Sequence, residues 1–161
     1  MATVITFSES NGAGEVITDS LSNLNFGSND SANIVPATYK ITAGEHSYEK
    51  YLRAKVDLDI GTIISNMKFW KSAGILVTGQ TIKAIANQTY DTPVATASSK
   101  AVSDIPTSEG TALDIESEEV DETQFTEDGY SKYIVLQEQT TESTPSGETN
   151  SLTFTLQYDK S

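Results

Sequence analysis

The sequence predicts an all-β protein, a single jelly-roll-like β-sandwich domain over residues 1–161 with long Ser/Thr-rich loops and an extended N-terminal segment. Three observations predict this class. Apolar residues recur with a period of two, and no segment shows the 3.6-residue period of an amphipathic helix. Turn-forming residues separate these segments at spacings of about 8 to 15 residues. Ser and Thr, which favour half-buried strands and turns, account for 40 of the 161 residues.

Period-two alternation marks four candidate strands. It is found in residues 52–59 and, on a smaller scale, in residues 67–69 and 82–84. The clearest case is the segment 152–158, which predicts a half-buried strand because every second side chain is apolar. The side chains expected on its inner face are those of Leu152, Phe154, Leu156 and Tyr158.

A continuous apolar run at residues 133–136 is typical of a central strand that is covered on both faces. A polar loop around Pro145 separates this strand from the last alternating segment. We therefore predict an antiparallel hairpin between residues 133–139 and 151–158. Its loop is too long for the register to follow from the turn type.

Turn signals stand between the candidate strands, and several of their glycines suit a positive φ. Closely spaced strands that are separated by such signals favour a sandwich or a barrel. The candidate turns are Asn11-Gly12, Asp59-Ile60-Gly61, Ala73-Gly74, Thr78-Gly79, Asp128-Gly129 and Pro145-Ser146-Gly147.

Helix is expected to be scarce. Residues 47–53 are compatible with one helical turn that has Ser47 as its N-cap. The acidic run at residues 116–128 is compatible with a short helix, but it lacks an apolar stripe and is better interpreted as a solvated loop.

Two polar stretches are predicted to be flexible connections. Residues 8–33 are rich in Ser, Asn, Gly and Asp, and residues 92–110 are rich in Ala, Ser and Thr. Such compositions offer little apolar surface to bury. Residues 1–33 are accordingly a candidate N-terminal arm within the single domain.

The chain is strongly acidic, with 23 Asp and Glu against 10 Lys and Arg and a formal net charge of -13. Nucleic-acid binding needs clustered basic residues, whereas the basic residues here are scattered and Arg53 is the only arginine. Anionic membrane surfaces repel such a chain for the same reason. We therefore expect neither nucleic acid nor a membrane among its partners.

The chain contains no cysteine, which excludes disulfides, thiolate metal sites and thiol catalysis. Its first residues do not resemble a signal peptide. The longest apolar stretch, residues 74–77, is too short to cross a bilayer. We expect the chain to be made and kept in the cytoplasm before any assembly step.

Candidate catalytic and metal-binding residues are few. His46 is the only histidine and is interpreted as a surface-turn residue, because a catalytic base is defined by its partners. Asp57 and Asp59 share one strand face and, with a loop carboxylate, are compatible with Ca²⁺. A solvated surface is the simpler interpretation, both for this pair and for the acidic run at residues 116–128.

An aromatic platform for sugars would need exposed rings, and Trp70 with Phe69 is the candidate pair. A single Trp within an alternating strand is more often part of the core. No phosphate loop, nucleophile elbow or zinc-helix motif is present. We therefore predict no catalytic, cofactor-binding or metal-binding residue, no cofactor and no enzymatic activity.

Several short segments resemble small virion proteins of tailed bacteriophages, across about residues 34–158. They are Ser47-Tyr48-Glu49-Lys50-Tyr51-Leu52-Arg53, Ile64-Ser65-Asn66-Met67-Lys68-Phe69-Trp70, Gly79-Gln80-Thr81-Ile82-Lys83, Tyr90-Asp91-Thr92-Pro93 and Ile105-Pro106. The resemblance implies a β-sandwich that coats or joins larger virion components, and it carries over no catalytic residue.

The function that this resemblance implies is structural. The expected protein is a capsid decoration subunit on the outer surface of the major capsid lattice, with the major capsid protein, other virion proteins or further copies of itself as partners. A tail, neck or tube accessory protein is the alternative within the virion. A carbohydrate- or receptor-binding module is the alternative from another class. Because the chain is so acidic, we expect its attachment surface either to carry less charge than the outward face or to meet basic groups on the partner.

Overall fold

The computed structural model describes residues 2–118, 123–147 and 150–161, and the regular structure of these residues is β-strand with one 3-10 turn at Glu109–Thr111. The predicted all-β class is therefore confirmed. The strands are β1 (Val4–Asn11), β2 (Val16–Thr18), β3 (Lys50–Asp57), β4 (Ile64–Ala73), β5 (Thr81–Asn87), β6 (Ser103–Asp104), β7 (Leu113–Asp114), β8 (Gln124–Phe125), β9 (Gly129–Tyr130), β10 (Tyr133–Gln139) and β11 (Thr153–Lys160).

The strands form two antiparallel sheets, an arrangement consistent with a β-sandwich. The larger sheet has the order β2-β1-β3-β10-β5-β6, with β9 paired to β3. The smaller sheet has the order β11-β4-β7, with β8 paired to β4. Both sheets contribute to one buried core, whose members are Leu52, Ala54, Val56, Ile64, Met67, Phe69, Ile82, Ala84, Ile105, Ile115, Phe125, Ile134 and Leu136.

The alternating segments of the sequence are strands of these sheets. Residues 52–57 lie in β3, residues 67–69 in β4 and residues 82–84 in β5. The alternating apolar side chains of these three segments turn into the core, because every second side chain of a strand points to the same face.

The inner face of β11 agrees with the prediction at three of four positions. Leu152, Phe154 and Leu156 pack against the core. The expected burial of Tyr158 is wrong, since its side chain is 40% exposed. The cause is local: β11 lies at the edge of its sheet, and the register with β4 shifts between Gln157 and Asp159.

β10 is the predicted central strand that is covered on both faces. It lies between β3 and β5 in the larger sheet. On its inner face Ile134 and Leu136 enter the main core. On its outer face Tyr133 and Val135 form a second buried cluster with Tyr51.

The hairpin predicted between residues 133–139 and 151–158 is not formed. β10 has neighbours on both sides, so it has no free edge for the last strand. β11 pairs with β4 instead. The polar loop around Pro145 therefore passes from one sheet to the other, and adjacency along the chain indicated the wrong partner.

The predicted flexible connection at residues 8–33 is wrong for residues 8–11, which belong to β1, the strand between β2 and β3. Its polar side chains are buried and have partners. Glu9 is 1% exposed and accepts hydrogen bonds from Lys50 Nζ and Asn11 Nδ2, both at 2.8 Å. The local sequence of such a strand is as polar as that of a loop, because the residues that pair with it are distant in the sequence.

Residues 92–110 are likewise held in place. Gln137 of β10 donates through Nε2 to Val94 O and Thr96 O, at 3.3 and 2.7 Å, and Ser98 N–H donates to Gln137 Oε1 at 2.8 Å. The side chain of Gln137 is fully buried beneath this segment. The loop therefore covers the outer face of the larger sheet.

The helical turn considered at residues 47–53 is not formed. Ser47 N–H donates to Glu138 O at 2.9 Å, and Glu138 N–H donates to Ser47 Oγ at 3.0 Å. These bonds hold the backbone alongside β10, so that it continues directly into β3. Of the acidic run at residues 116–128, positions 119–122 lie outside the described residues, and the described part includes the buried Phe125 of β8.

The stacked phenylalanines of the core give a test of the sandwich. Phe69 is 1% exposed, and its ring stacks on Phe154 with centroids 5.6 Å apart. We expect Phe69→Ala to lower the free energy of unfolding by roughly 3–5 kcal/mol. Thr153→Ala, an exposed position on β11, should change it by about 0.5 kcal/mol at most. Equal effects in urea unfolding would contradict this packing.

Candidate functional site

Among the described residues, the end of the sandwich beyond β4 carries few charged side chains, although Lys71 Nζ reaches it and donates to Gly74 O at 2.8 Å. Residues 72–82, which lead from β4 into β5, contain no Asp, Glu, Lys or Arg. Residues 140–144 and 150–152 pack against this connection and add one charged side chain, Glu142. We call residues 74–80, 140–144 and 150–152 the low-charge end.

Gly74 joins two of these segments. Its φ is +93°, and a Cβ atom there would lie 2.5 Å from Ser151 O and 2.8 Å from Leu152 Cα. Asn150 Nδ2 donates to Ile75 O at 2.9 Å. The backbone around residue 74 therefore lies against residues 150–152 in a contact that only glycine allows.

Gln80 organises the second half of the connection. Its N–H donates to Val77 O, and Val77 N–H donates to Gln80 Oε1, each at 3.0 Å. Gln80 Nε2 donates to Glu138 Oε1 at 2.9 Å, and burial raises the pKa of Glu138 above its usual range. Thr141 N–H donates to Gly79 O at 3.1 Å. The low-charge end is thus a hydrogen-bonded surface rather than a loose loop.

Ile75 is the most exposed apolar side chain of the low-charge end. It is 78% exposed, while Leu76 and Val77 are half-buried beside it. An exposed aliphatic side chain beside half-buried apolar neighbours is compatible with the low-charge core of a protein interface.

The opposite end of β4 is acidic. Asp57 is the last residue of β3, Asp59 follows it, and Glu127 and Asp128 lie in the adjacent β8–β9 loop. Asp128 Oδ1 accepts a hydrogen bond from Leu58 N–H at 2.6 Å. Among the described residues, no group of three acidic or histidine side chains has an arrangement that could hold a metal ion. We call these four carboxylates the acidic end.

His46 does not lie in a free surface turn. It forms an isolated β-bridge with Gln139 and is half-buried. Its Nδ1 atom is buried without a hydrogen-bond partner among the described residues. The imidazole borders an open groove that is also lined by Ser28, Glu45, Tyr48, Ala95, Thr96 and Ala97.

Trp70 and Phe69 cannot form one sugar platform, because they are adjacent in β4 and face opposite sides. Phe69 lies in the core, as described above. The expectation that Trp70 belongs to the core is wrong: it is half-buried on the outer face of the smaller sheet, opposite Thr155.

Arg53 forms a buried cluster that sequence reasoning missed. Its guanidinium lies over the rings of Tyr130 and Tyr133, at 4.0 and 4.6 Å from their centres, and Nη1 donates to Glu118 Oε2 at 2.6 Å. Burial and a hydrogen bond to Glu15 raise the pKa of Tyr133 to about 12. These partners come from distant segments, so no local pattern indicated them.

Comparison of the chain with protein-family models, curated protein sequences and solved structures finds no match. The described part of the chain also contains no helix long and apolar enough to span a bilayer.

The close contact at Gly74 predicts a sensitive position. Gly74→Ala should lower the free energy of unfolding by about 2 kcal/mol or more, because the left-handed backbone alone costs about 1–2 kcal/mol for other residues. Gly110→Ala is the control, since a Cβ atom at that position would meet no atom within 4 Å; it should change stability by about 0.5 kcal/mol at most. Denaturant unfolding compares the two, and a tolerated Gly74→Ala would contradict the contact.

The buried carboxyl of Glu138 predicts a pH-dependent difference. Because burial raises its pKa in the folded state, its ionisation opposes folding above that pKa and has no effect in acid below the unfolded value. Glu138→Gln should therefore raise the free energy of unfolding at neutral pH and lose this advantage as the pH falls below the ordinary carboxyl range.

The matched control for that experiment is Glu142→Gln, an exposed position at the same end of the sandwich. It removes the same charge without relieving a buried group. If both substitutions raise the free energy of unfolding equally at neutral pH, the cause is relief of general charge repulsion rather than the burial of Glu138.

Proposed function

We propose that this protein is a structural component of a tailed-phage virion, a capsid decoration subunit that attaches to the outer surface of the major capsid lattice. The observation that carries the proposal is the low-charge end with its exposed Ile75, in a chain whose net charge is -13. The class of partner is inferred from the short segments that resemble small virion proteins, among them residues 47–53 and 64–70.

The physical argument concerns what an acidic protein can place in an interface. Buried charges without partners are costly, and the fully buried part of protein interfaces is depleted of charged residues. The low-charge end meets this condition, while the acidic end does not. Burying the Ile75 side chain against a partner would contribute about 1.5–3 kcal/mol to binding.

In this proposal the two-sheet fold is a jelly-roll-like sandwich that adds contacts across capsomer boundaries and performs no chemistry. The partners are the major capsid protein or other virion proteins, and the protein works in the assembled particle. Attachment as a tail, neck or tube accessory protein would use the same surface at another location.

A carbohydrate- or receptor-binding module is a second candidate, and Trp70 is the observation that favours it. The ring lies half-exposed on a sheet face with Thr155 and Gln157 beside it. Aromatic rings flanked by polar groups suit sugar binding. This candidate would be favoured if Trp70→Ala abolished glycan binding while Ile75→Asp left particle attachment unchanged.

The proposal predicts that Ile75→Asp weakens attachment to particles that lack this protein. We expect the affinity to fall at least about tenfold, since each 1.4 kcal/mol is a factor of about ten. Ile60→Asp is the matched control, because Ile60 is fully exposed next to the acidic end. Co-sedimentation of each purified variant with particles measures the difference.

Location in purified particles, by imaging with a labelled chain, completes the test. A position on the capsid surface supports decoration. A position on the tail would reject decoration but keep the virion class, and absence from particles would reject the whole proposal. Truncation of residues 1–33 is unsuitable as a test because it removes β1 from the larger sheet.

A further inference from the structure

The smaller sheet ends in a long open edge. β11 pairs with β4 along one side, and no strand of the described residues pairs with its other side. The outer strands elsewhere are much shorter: β2 has three residues and β6 and β7 have two each, whereas β11 has eight. A long open edge is a template on which another chain can pair.

The direction of the backbone groups in β11 follows from its last hydrogen bonds. Ser161 N–H donates to Ile63 O at 3.1 Å, and Ile63 N–H donates to Ser161 O at 3.0 Å. The register shifts add their extra residues to β4, so β11 itself alternates regularly. Backbone groups of successive residues point to opposite sides. The residues whose N–H and C=O groups point outward are therefore Phe154, Leu156, Tyr158 and Lys160.

We propose that this edge pairs antiparallel with β11 of a second copy of the chain, which joins the two smaller sheets into one. Charge permits a second copy at this edge, and the register described below is self-complementary. Two chains of net charge -13 repel each other over most of their surfaces, but residues 150–158 contain no charged side chain. No other open edge combines this length with neutrality among the described residues.

One register uses all four outward residues. It places Gln157 of the two copies opposite each other on the two-fold axis. Leu156 then faces Tyr158 of the second copy, and Phe154 faces Lys160 of the second copy. Each of these pairs exchanges two backbone hydrogen bonds.

The same register satisfies the charged and apolar side chains. Asp159 faces Thr155 of the second copy, so no two like charges stand directly opposite each other on the paired strands. The nearest other carboxylate is that of Glu109, which accepts a hydrogen bond from Gln157 Nε2 at 2.8 Å. Tyr158, 40% exposed in the single chain, comes to lie against Leu156 of the second copy. An aromatic–aliphatic cross-strand pair contributes about 0.2–1 kcal/mol, which gives the exposed tyrosine a role.

The inference does not rest on the proposed function. The contact runs along the side of the sandwich, whereas the low-charge end lies at its tip. Because the two strands are antiparallel, the two low-charge ends point in opposite directions and both stay accessible. Failure of particle binding and failure of self-pairing are therefore separate results.

Cysteine cross-linking tests the register, because the chain has no native cysteine. Opposed residues without mutual hydrogen bonds have Cα atoms about 4.5 Å apart, within the range of about 4.4–6.8 Å that a disulfide spans. Under mild oxidation, Gln157→Cys should form a covalent dimer at least tenfold faster than Thr153→Cys, which sits at the end of the same strand.

Analytical ultracentrifugation tests the edge itself. The mass of the unmodified chain should rise with concentration from 17.3 kDa toward twice that value. Tyr158→Pro removes one outward N–H without touching a bond to β4 and should abolish the rise. Tyr158→Phe keeps the N–H and should preserve it. Circular dichroism checks that both variants keep their strands.

Three results would overturn the proposal. The first is a monomer at every concentration together with equal cross-linking of the two cysteine variants. The second is a dimer that persists in folded Tyr158→Pro, which would place the contact elsewhere. The third is an assembly larger than a dimer, which a single closed two-fold contact does not allow.

Discussion

The central strands of the larger sheet, β3 and β10, are buried on both of their faces, and this constraint determines much of the remaining structure. One face meets the smaller sheet, and the other is covered by connecting segments. Polar side chains on the covered face must therefore find partners inside the protein. Glu49 accepts hydrogen bonds from Ser98 Oγ and Val94 N–H, while Gln137 bonds the backbone of the same segment. A loop with little apolar content is held by these buried polar groups.

The surfaces of the two sheets differ from each other in charge. Six of the basic side chains form ion pairs on or beside the larger sheet: Lys50, Arg53, Lys55, Lys83, Lys100 and Lys132. The smaller sheet keeps a bare edge and a half-exposed Trp70. The tip beyond β4 carries few charged side chains. Each surface can thus meet a different kind of partner.

The strands that alternate strictly could be predicted from the sequence, because one buried face leaves a period of two. This holds for β3 and β5, and the apolar run of β10 correctly indicated cover on both sides. The position of β1 could not be predicted, since its polar residues are buried against partners such as Lys50. The prediction of the strand that pairs with β11 was wrong for another reason, because strand order depends on which strand edges are free. For the candidate site, the acidic composition predicted either an attachment surface of reduced charge or basic groups on the partner, and no local pattern indicated where in the fold such a surface lies.

Among the described residues, the separation of the acidic end from the low-charge end gives the molecule an uneven distribution of charge along its strands. The ten residues of β4 separate the two ends by about 33 Å. Near a negatively charged surface, such a molecule turns its neutral tip forward; near a positive surface it turns the other way. Physiological salt screens fields beyond about 8 Å, so this orientation is imposed only in the final approach. Which end of the molecule contacts the partner first therefore depends on the sign of the electric field at the partner's surface.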